Sequence, residues 1–207
     1  EQIGLLGIFM SYSFIFAQIA TMGTGRITIY FYPTFRDRSK NHHGFFFLMG
    51  IISLAGLALV LIAFYLLKPW LMANEHGNSG LLAENVNYLV PMTIATLAFL
   101  VFDSFYKNLY NAVQGIIMKE FVQRVLILVF VLFYVFQWIT FGQYLPLYVL
   151  SVAIPALVLL VNLLRNKEFT FRPNTFDLAR ELRRPMMSIG FYGILIGFSG
   201  MVILNID

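Results

Sequence analysis

The fold class of this chain is decided by residues 44–67, which read GFFFLMGIISLAGLALVLIAFYLL. These 24 residues contain no charged side chain. A helix that crosses the hydrocarbon layer of a membrane needs about 20 mostly apolar residues. The stretch shows no alternation of polar and apolar side chains and is far longer than a barrel strand of about 10 residues, so it predicts a transmembrane helix.

Similar apolar runs recur along the chain. Residues 125–164 carry no charge over 40 positions, too many for one helix, and we expect residues 142–144 with Pro146 to form a tight turn that divides them. Gly23 and Gly25 interrupt a long first helix near its end, and Pro33 is expected to stop it. The sequence therefore predicts an all-α polytopic transmembrane bundle of about six spans, at residues 4–32, 44–67, 87–112, 122–141, 144–164 and 186–206, with a short amphipathic surface helix at 175–184.

Basic residues alternate between the segments that connect these spans. The five segments hold four, one, three, none and six Lys or Arg residues: Arg26, Arg36, Arg38 and Lys40; Lys68; Lys107, Lys119 and Arg124; none; and Arg165, Lys167, Arg172, Arg180, Arg183 and Arg184. Short basic loops are retained on the cytoplasmic side during insertion. The alternation therefore predicts that both ends of the chain lie on the outer side of the membrane.

The composition agrees with a membrane protein. Hydrophobic residues make up 59% of the chain and charged residues 12%, whereas a soluble domain averages about 25% charged. The net charge of +4 lies in the inner segments, where we expect membrane lipid headgroups rather than nucleic acid as the partner. The chain has no basic n-region before its first apolar run and ends directly after another, so we expect it to be an excerpt of a longer protein.

Two polar side chains on the first helix are candidates for ligand binding. Arg26 lies near the inner boundary of the predicted span, and Gln18 lies two turns earlier on about the same face. Arg26 is either an interfacial side chain that reaches the headgroups or a cation that faces a water-filled cavity and binds an anionic group. The sequence leaves both interpretations open.

A second candidate pair is Asp103 and Lys107, which are spaced i, i+4 on one helix face. This pair is either a surface ion pair at a helix end or the charged rim of the same cavity. In the last span, four glycines at spacings of three, four and three form one smooth face: Gly190, Gly193, Gly197 and Gly200. Such a face allows close helix packing or lines a cavity.

Signatures of an enzyme are not evident. His42 and His43 have no third ligand at helical spacing, and we expect them in a solvated loop. The chain has no cysteine, which excludes disulfides, thiolate catalysis and cysteine-metal sites. No catalytic triad, carboxylate pair or phosphate-binding glycine loop with Lys is present. We therefore expect neither catalysis nor a cofactor or metal.

Three stretches carry a family resemblance. They are residues 1–6, EQIGLL; residues 22–33, MGTGRITIYFYP; and residues 182–186, LRRPM, which lead to NID at 205–207. They resemble, in this order, the outer linker after the first helix, the glycine-rich inner half of the second helix, and the basic loop, proline and Asp-ended seventh helix of the oligosaccharide flippases of the multidrug/oligosaccharidyl-lipid/polysaccharide exporter superfamily.

The resemblance implies that the chain is helices two to seven of a two-lobed transporter, hence most of its N-terminal lobe. Such a protein would carry undecaprenyl-linked oligosaccharide across a bacterial inner membrane by alternating access, with a cationic cavity between the lobes. The position of Arg26 matches the second helix of the family. The resemblance names no coupling ion.

Two rival functions stay open at this point. A cation-coupled multidrug exporter of the same superfamily would need a buried carboxylate, for which Asp103 and Asp207 are the candidates. A membrane enzyme of envelope-glycan synthesis would need acid-base clusters, which the sequence does not show.

Overall fold

The structure is a computed structural model that describes residues 2–37, 40–73, 85–109, 112–165, 169 and 180–204. The described part is an all-α bundle, which confirms the predicted fold class. Its helices are α1 (Gln2–Ala20), α2 (Thr24–Phe35), α3 (Phe45–Ala73), α4 (Leu89–Asn108), α5 (Ala112–Ile116), a π-helical segment (Ile117–Gln123), α6 (Arg124–Val135), α7 (Phe141–Arg165) and α8 (Arg180–Leu204), with short 3₁₀ turns at Asn41–Gly44 and Val86–Tyr88.

Helix α4 lies at the centre of the bundle. It packs against α1, α2, α3 and α7, and α8 packs against α1 and α2 on another side. The buried side chains of α4 are mainly apolar and lie on several faces of the helix, so most of its surface contacts other helices. One core cluster surrounds Tyr32, Phe46 and Phe105, and a second surrounds Phe9 and Leu145.

Three described helices are long and apolar enough to cross a membrane: Asn41–Pro69, Val86–Asn108 and Phe141–Arg165. Helices α1 and α2 add a fourth if this bent pair forms one span. The predicted spans at 122–141 and 186–206 do not meet the same test within the described residues. Apolar side chains on the outer face of α3 are strongly exposed, as at Leu54 (63%) and Leu66 (75%). The described helices are therefore compatible with embedding in a membrane.

The first predicted helix is broken. Residues Thr21–Gly23 separate α1 from α2, and the two helices meet at an angle of 41°. Met22 and Gly23 have positive φ angles of 49° and 74°, which end the α-helical hydrogen-bond pattern. Glycine was expected to interrupt the helix here, but the prediction that Pro33 stops it is wrong by two residues, since α2 continues to Phe35.

The tight turn between the fourth and fifth predicted spans lies earlier than expected. It occupies residues 136–140, and residues 142–144 with Pro146 lie inside α7. Gln143 Oε1 accepts a hydrogen bond from the backbone N–H of Thr140 at 3.0 Å. This contact caps the start of α7, so the helix begins at Phe141 rather than after the proline.

All three basic residues assigned to the third connecting segment are helical, and Lys107 lies in α4. Lys119 lies in the π-helical segment, and Arg124 is the first residue of α6. Only a short connection, residues 109–111, separates α4 from α5. Helix α5 starts about ten residues before the predicted span at 122–141, because residues 112–135 form one nearly continuous helical run.

Other expectations are partly outside the described residues. Of the predicted surface helix at 175–184, residues 175–179 are not described, and residues 180–184 form the first turns of α8, which continues through Pro185. Asp207 is not described either. The expectation that His42 is solvated is wrong, because its side chain is 2% exposed and its ring lies 5.5 Å from that of Tyr32.

Candidate functional site

A cavity of about 390 Å³ lies where α1, α2, α4 and α8 meet. Its volume falls within the range of small-molecule binding sites, about 300–1,000 Å³. We call it the main cavity, and its lining residues are Gln18, Thr21, Gly23, Gly25, Arg26, Ile29, Leu100, Asp103, Ser104, Lys107, Gly193, Ile196 and Gly197. Nearly half of these residues are polar or charged, although the helices around them are mainly apolar.

All four residues singled out from the sequence line the main cavity. Gln18 comes from α1, Arg26 from α2, and Asp103 and Lys107 from α4. The structure thus brings together two pairs that are about 80 residues apart in the sequence. Their part in ligand binding stays a prediction, and Arg26, which is exposed and also lines the cavity, fits either interpretation.

The break between α1 and α2 positions Arg26. The Thr21 hydroxyl donates to the carbonyl oxygen of Gln18 at 2.7 Å, and the Gly23 N–H donates to the Thr21 hydroxyl at 3.3 Å. These bonds satisfy backbone groups that the broken helix leaves free. Helix α2 then starts at the cavity wall, with Arg26 in its first turn.

The Arg26 guanidinium has no ion pair or side-chain hydrogen bond to another described residue. Its stem packs on the last helix, where a β-carbon at Gly193 would lie 3.0 Å from Arg26 Cγ. A guanidinium carries five N–H donors and stays charged at any physiological pH. Arg26 therefore presents an uncompensated cation with unused donors to the main cavity.

Asp103 and Lys107 form an ion pair on α4, with 2.5 Å between Asp103 Oδ2 and Lys107 Nζ. The Asp103 side chain is 12% exposed and that of Lys107 is 42% exposed. Asp103 is thus buried, so the interpretation as a surface ion pair is wrong for the acidic partner. Its other oxygen, Oδ1, is buried without a hydrogen-bond partner among the described residues.

The glycine face predicted on the last helix packs closely against the break. A β-carbon at Gly190 would lie 3.2 Å from the carbonyl oxygen of Met22, and one at Gly197 would overlap the Gln18 amide. Close approach is thereby confirmed for Gly190, Gly193 and Gly197, whereas the surroundings of Gly200 lie outside the description. Because Gly193 and Gly197 also line the main cavity, this face serves packing and cavity formation together.

Sequence reasoning missed Thr21 and Ser104 as lining residues. Both hydroxyls donate to backbone carbonyl oxygens three residues earlier, Thr21 to Gln18 and Ser104 to Val101, each at 2.7 Å. The donors left for a ligand are those of Arg26, Gln18 and Lys107. Formal charges on the wall sum to +1, from two cations and one carboxylate, so the main cavity suits an anion rich in acceptor oxygens.

Comparisons with known proteins add no assignment: no family model, no curated protein and no solved structure matches this chain.

Proposed function

We propose that the protein is a transporter that moves lipid-linked oligosaccharide across a bacterial inner membrane, and that the main cavity binds the diphosphate of this substrate. The single observation that carries the proposal is the Arg26 guanidinium, which lines the cavity without a carboxylate partner among the described residues. The resemblance of residues 22–33 to the second helix of oligosaccharide flippases supports the same function.

The physical reason is the cost of moving charge through a membrane. A diphosphate must leave water during transfer, and a charged side chain within the hydrocarbon layer is itself costly. When the diphosphate and the Arg26 guanidinium meet in the main cavity, each charge compensates the other. Arg can also hold two phosphate oxygens through parallel hydrogen bonds, and Gln18 and Lys107 would supply further donors.

The volume of the main cavity sets a limit on what it holds. About 390 Å³ accommodates a diphosphate and the sugar next to it, but not a whole oligosaccharide. In the proposed transporter a second lobe would enclose the rest of the glycan, and rocking of the lobes would open the cavity to each side in turn. The ends of this chain would lie on the periplasmic side.

The test is the Arg26→Ala variant of the full-length protein in a deletion strain. We expect loss of surface glycan at unchanged membrane abundance, and partial export by Arg26→Lys, which keeps the charge but not the paired hydrogen bonds. Arg165→Ala is the matched control, because Arg165 is exposed at the end of α7 and does not line the cavity. Normal export by Arg26→Ala at matched abundance would contradict the proposal.

A second candidate function is supported by Asp103. A cation-coupled exporter needs a buried carboxylate, and the Asp103 side chain is 12% exposed and lines the main cavity. Efflux of ethidium from cells that carry the protein distinguishes the two functions. Two results together would favour the exporter over the flippase. Asp103→Asn would abolish ethidium efflux, and Arg26→Ala would leave surface glycan unchanged.

A further inference from the structure

A second cavity, of about 200 Å³, lies between α3 and α4 on a different face of α4 from the main cavity. Its wall consists of four residues of α3, between Gly50 and Leu57, and six residues of α4, between Ile94 and Phe105. We call it the apolar cavity, because every described lining residue except Ser53 is apolar or glycine. It shares no lining residue with the main cavity.

The hydroxyl of Ser53 is already bonded. Its Oγ lies 2.9 Å from Oγ1 of Thr24 on α2, and both side chains are buried. The described wall of the apolar cavity therefore offers a ligand neither a charge nor an unused hydroxyl. A cavity of about 150 Å³ that is lined by Leu, Ile and Phe stays dry and takes up small apolar molecules. The apolar cavity is somewhat larger and has the same kind of wall, so its chemistry fits a hydrocarbon.

The mouth of the apolar cavity lies between Leu54 and Ile94, which line it and are 63% and 42% exposed. Both residues belong to helices that are long and apolar enough to cross a membrane. Exposed apolar side chains continue along α3 on either side of Leu54, at Ile51 and Ile62. A helix that is apolar on its outer face as well as its inner face belongs in hydrocarbon, so the mouth would open to the hydrocarbon layer.

Three aromatic rings lie at the end of the apolar cavity nearest the start of α3. Phe105 lines the cavity there, and its ring centre is 4.9 Å from that of Phe46, one turn before Gly50. The ring of Phe169, which follows α7, packs on both at 5.2 and 6.0 Å. These packed rings close that end, so a ligand would enter through the mouth between Leu54 and Ile94.

Helix α2 separates the apolar cavity from the main cavity. Gly25 and Arg26 line the main cavity, whereas the preceding residue, Thr24, bonds to Ser53 at the wall of the apolar cavity. Thr24 is buried, so the helices are in close contact at this point. A substrate held at Arg26 therefore has no direct path for its lipid chain into the apolar cavity.

We infer that the apolar cavity binds the end of one acyl chain of a membrane phospholipid, at a site separate from the substrate path. Leu54 at the mouth follows the first residue of α3 by nine positions, or about 14 Å at 1.5 Å per residue. This is close to half of the hydrocarbon thickness of about 30 Å, the depth at which acyl chains end. The inference does not depend on the proposed function, since it uses no residue of the main cavity.

The test is photolabelling of the full-length protein in proteoliposomes. The probe is a phosphatidylcholine with a diazirine near the end of one acyl chain, and mass spectrometry identifies the labelled residues. Two leucines at nearly the same depth on α3 are compared: Leu57, which is partly buried on the cavity wall, and Leu59, which is 60% exposed and does not line the cavity. We expect more label on Leu57. Lipid that only surrounds the protein would label by exposure and favour Leu59, and this order would overturn the inference.

Two variants close the apolar cavity in different ways. Ala98→Leu fills it from α4 and should abolish the labelling of Leu57 while leaving that of Leu59 unchanged. Ile94→Phe narrows the mouth at an exposed position, where folding should tolerate the change, and should have the same effect. The matched control is Ala58→Leu, which adds the same side chain to the exposed face of α3 and should keep the wild-type pattern. Labelling of Leu57 that persists in both closing variants would overturn the inference.

A competition experiment tests which lipid supplies the chain. Undecaprenyl phosphate or the same amount of dioleoyl phosphatidylcholine is added to the proteoliposomes, and neither should change the ratio of label on Leu57 to label on Leu59. A ratio that falls with undecaprenyl phosphate alone would identify a polyprenyl chain as the occupant and overturn the assignment to a phospholipid. Arg26→Ala should also leave the ratio unchanged, and a lower ratio in this variant would contradict the separation from the substrate path.

Discussion

Gly115 on α5 lies so close to Asp103 on α4 that a β-carbon on the glycine would overlap the carboxylate oxygen Oδ1. The other oxygen, Oδ2, pairs with Lys107 on the same helix as Asp103. The acidic side chain of the main cavity is therefore held between a cation on one side and the backbone of a neighbouring helix on the other. This arrangement fixes the position of the charge and prevents water from reaching Oδ1.

The contact predicts a coupling between residues 103 and 115. Gly115→Ala should lower the free energy of unfolding by about 1–3 kcal/mol, because overpacking forces the carboxylate to move. In the Asp103→Ala background the same change should cost little, since the β-carbon at 115 would lie 3.7 Å from that of residue 103. Thermal unfolding of the four purified proteins completes a double-mutant cycle. Equal costs in the two backgrounds would show that the contact does not exist.

A second prediction concerns the break between α1 and α2. Gly23 has a φ of 74°, and a β-carbon there would overlap the carbonyl of Gly190 on α8. Gly23→Ala combines a left-handed backbone cost of about 1–2 kcal/mol with this clash. We expect a lower melting temperature and less folded protein. The control is Gly7→Ala on α1, where no atom lies within 4 Å of the added carbon; it should be neutral or stabilising by up to about 1 kcal/mol.

The sequence sufficed to find four of the six polar or charged residues that line the main cavity. Arg26, Gln18, Asp103 and Lys107 stand out because polar side chains are rare in apolar helical runs and face the bundle interior there. The i, i+4 spacing of Asp103 and Lys107 also predicts that they share one face of their helix. The two pairs meet because α4 packs against α1 and α2. Helix periodicity within one segment does not specify this packing.

Local signals were available for some features that were misplaced. The hydrogen bond from the Thr140 N–H to Gln143 Oε1 is one half of a capping box and marks Phe141 as a helix start, whereas Gly142 and Pro146 are typical of a turn. The cation–π contact of Lys119 had no such signal. It depends on Phe14, more than 100 residues away, and a Lys beside Glu120 and Arg124 is typical of a loop in a membrane protein.

A third prediction tests the orientation drawn from the basic residues. Gln137 is exposed in the turn before α7, and Arg165 is exposed at the end of the same helix. Cysteine at Gln137 should react with an impermeant maleimide added to intact cells, and cysteine at Arg165 only after permeabilisation. The chain itself has no cysteine, so each label reports one position. External labelling of residue 165 would reverse the orientation.

The last prediction concerns Gln18 as a ligand-binding residue. A β-carbon at Gly197 would overlap the Gln18 amide, which is the far end of a flexible side chain and can move away at little cost in stability. Gly197→Ala should therefore leave the melting temperature nearly unchanged but turn the amide out of the position it has in the main cavity. If the amide donates to a bound diphosphate, geranylgeranyl diphosphate should bind about tenfold more weakly, the loss expected for a hydrogen bond to a charged group.

Gln18→Ala should weaken binding of the same probe by a similar factor, and the double variant should be no weaker than either single one, because both changes remove the same contact. The control is Ser199→Ala on α8, an exposed position whose hydroxyl donates to the Leu195 carbonyl oxygen and does not line the main cavity. Additive losses in the double variant would mean that Gly197→Ala acts through the shape of the cavity, and unchanged binding in Gln18→Ala would remove Gln18 from the site.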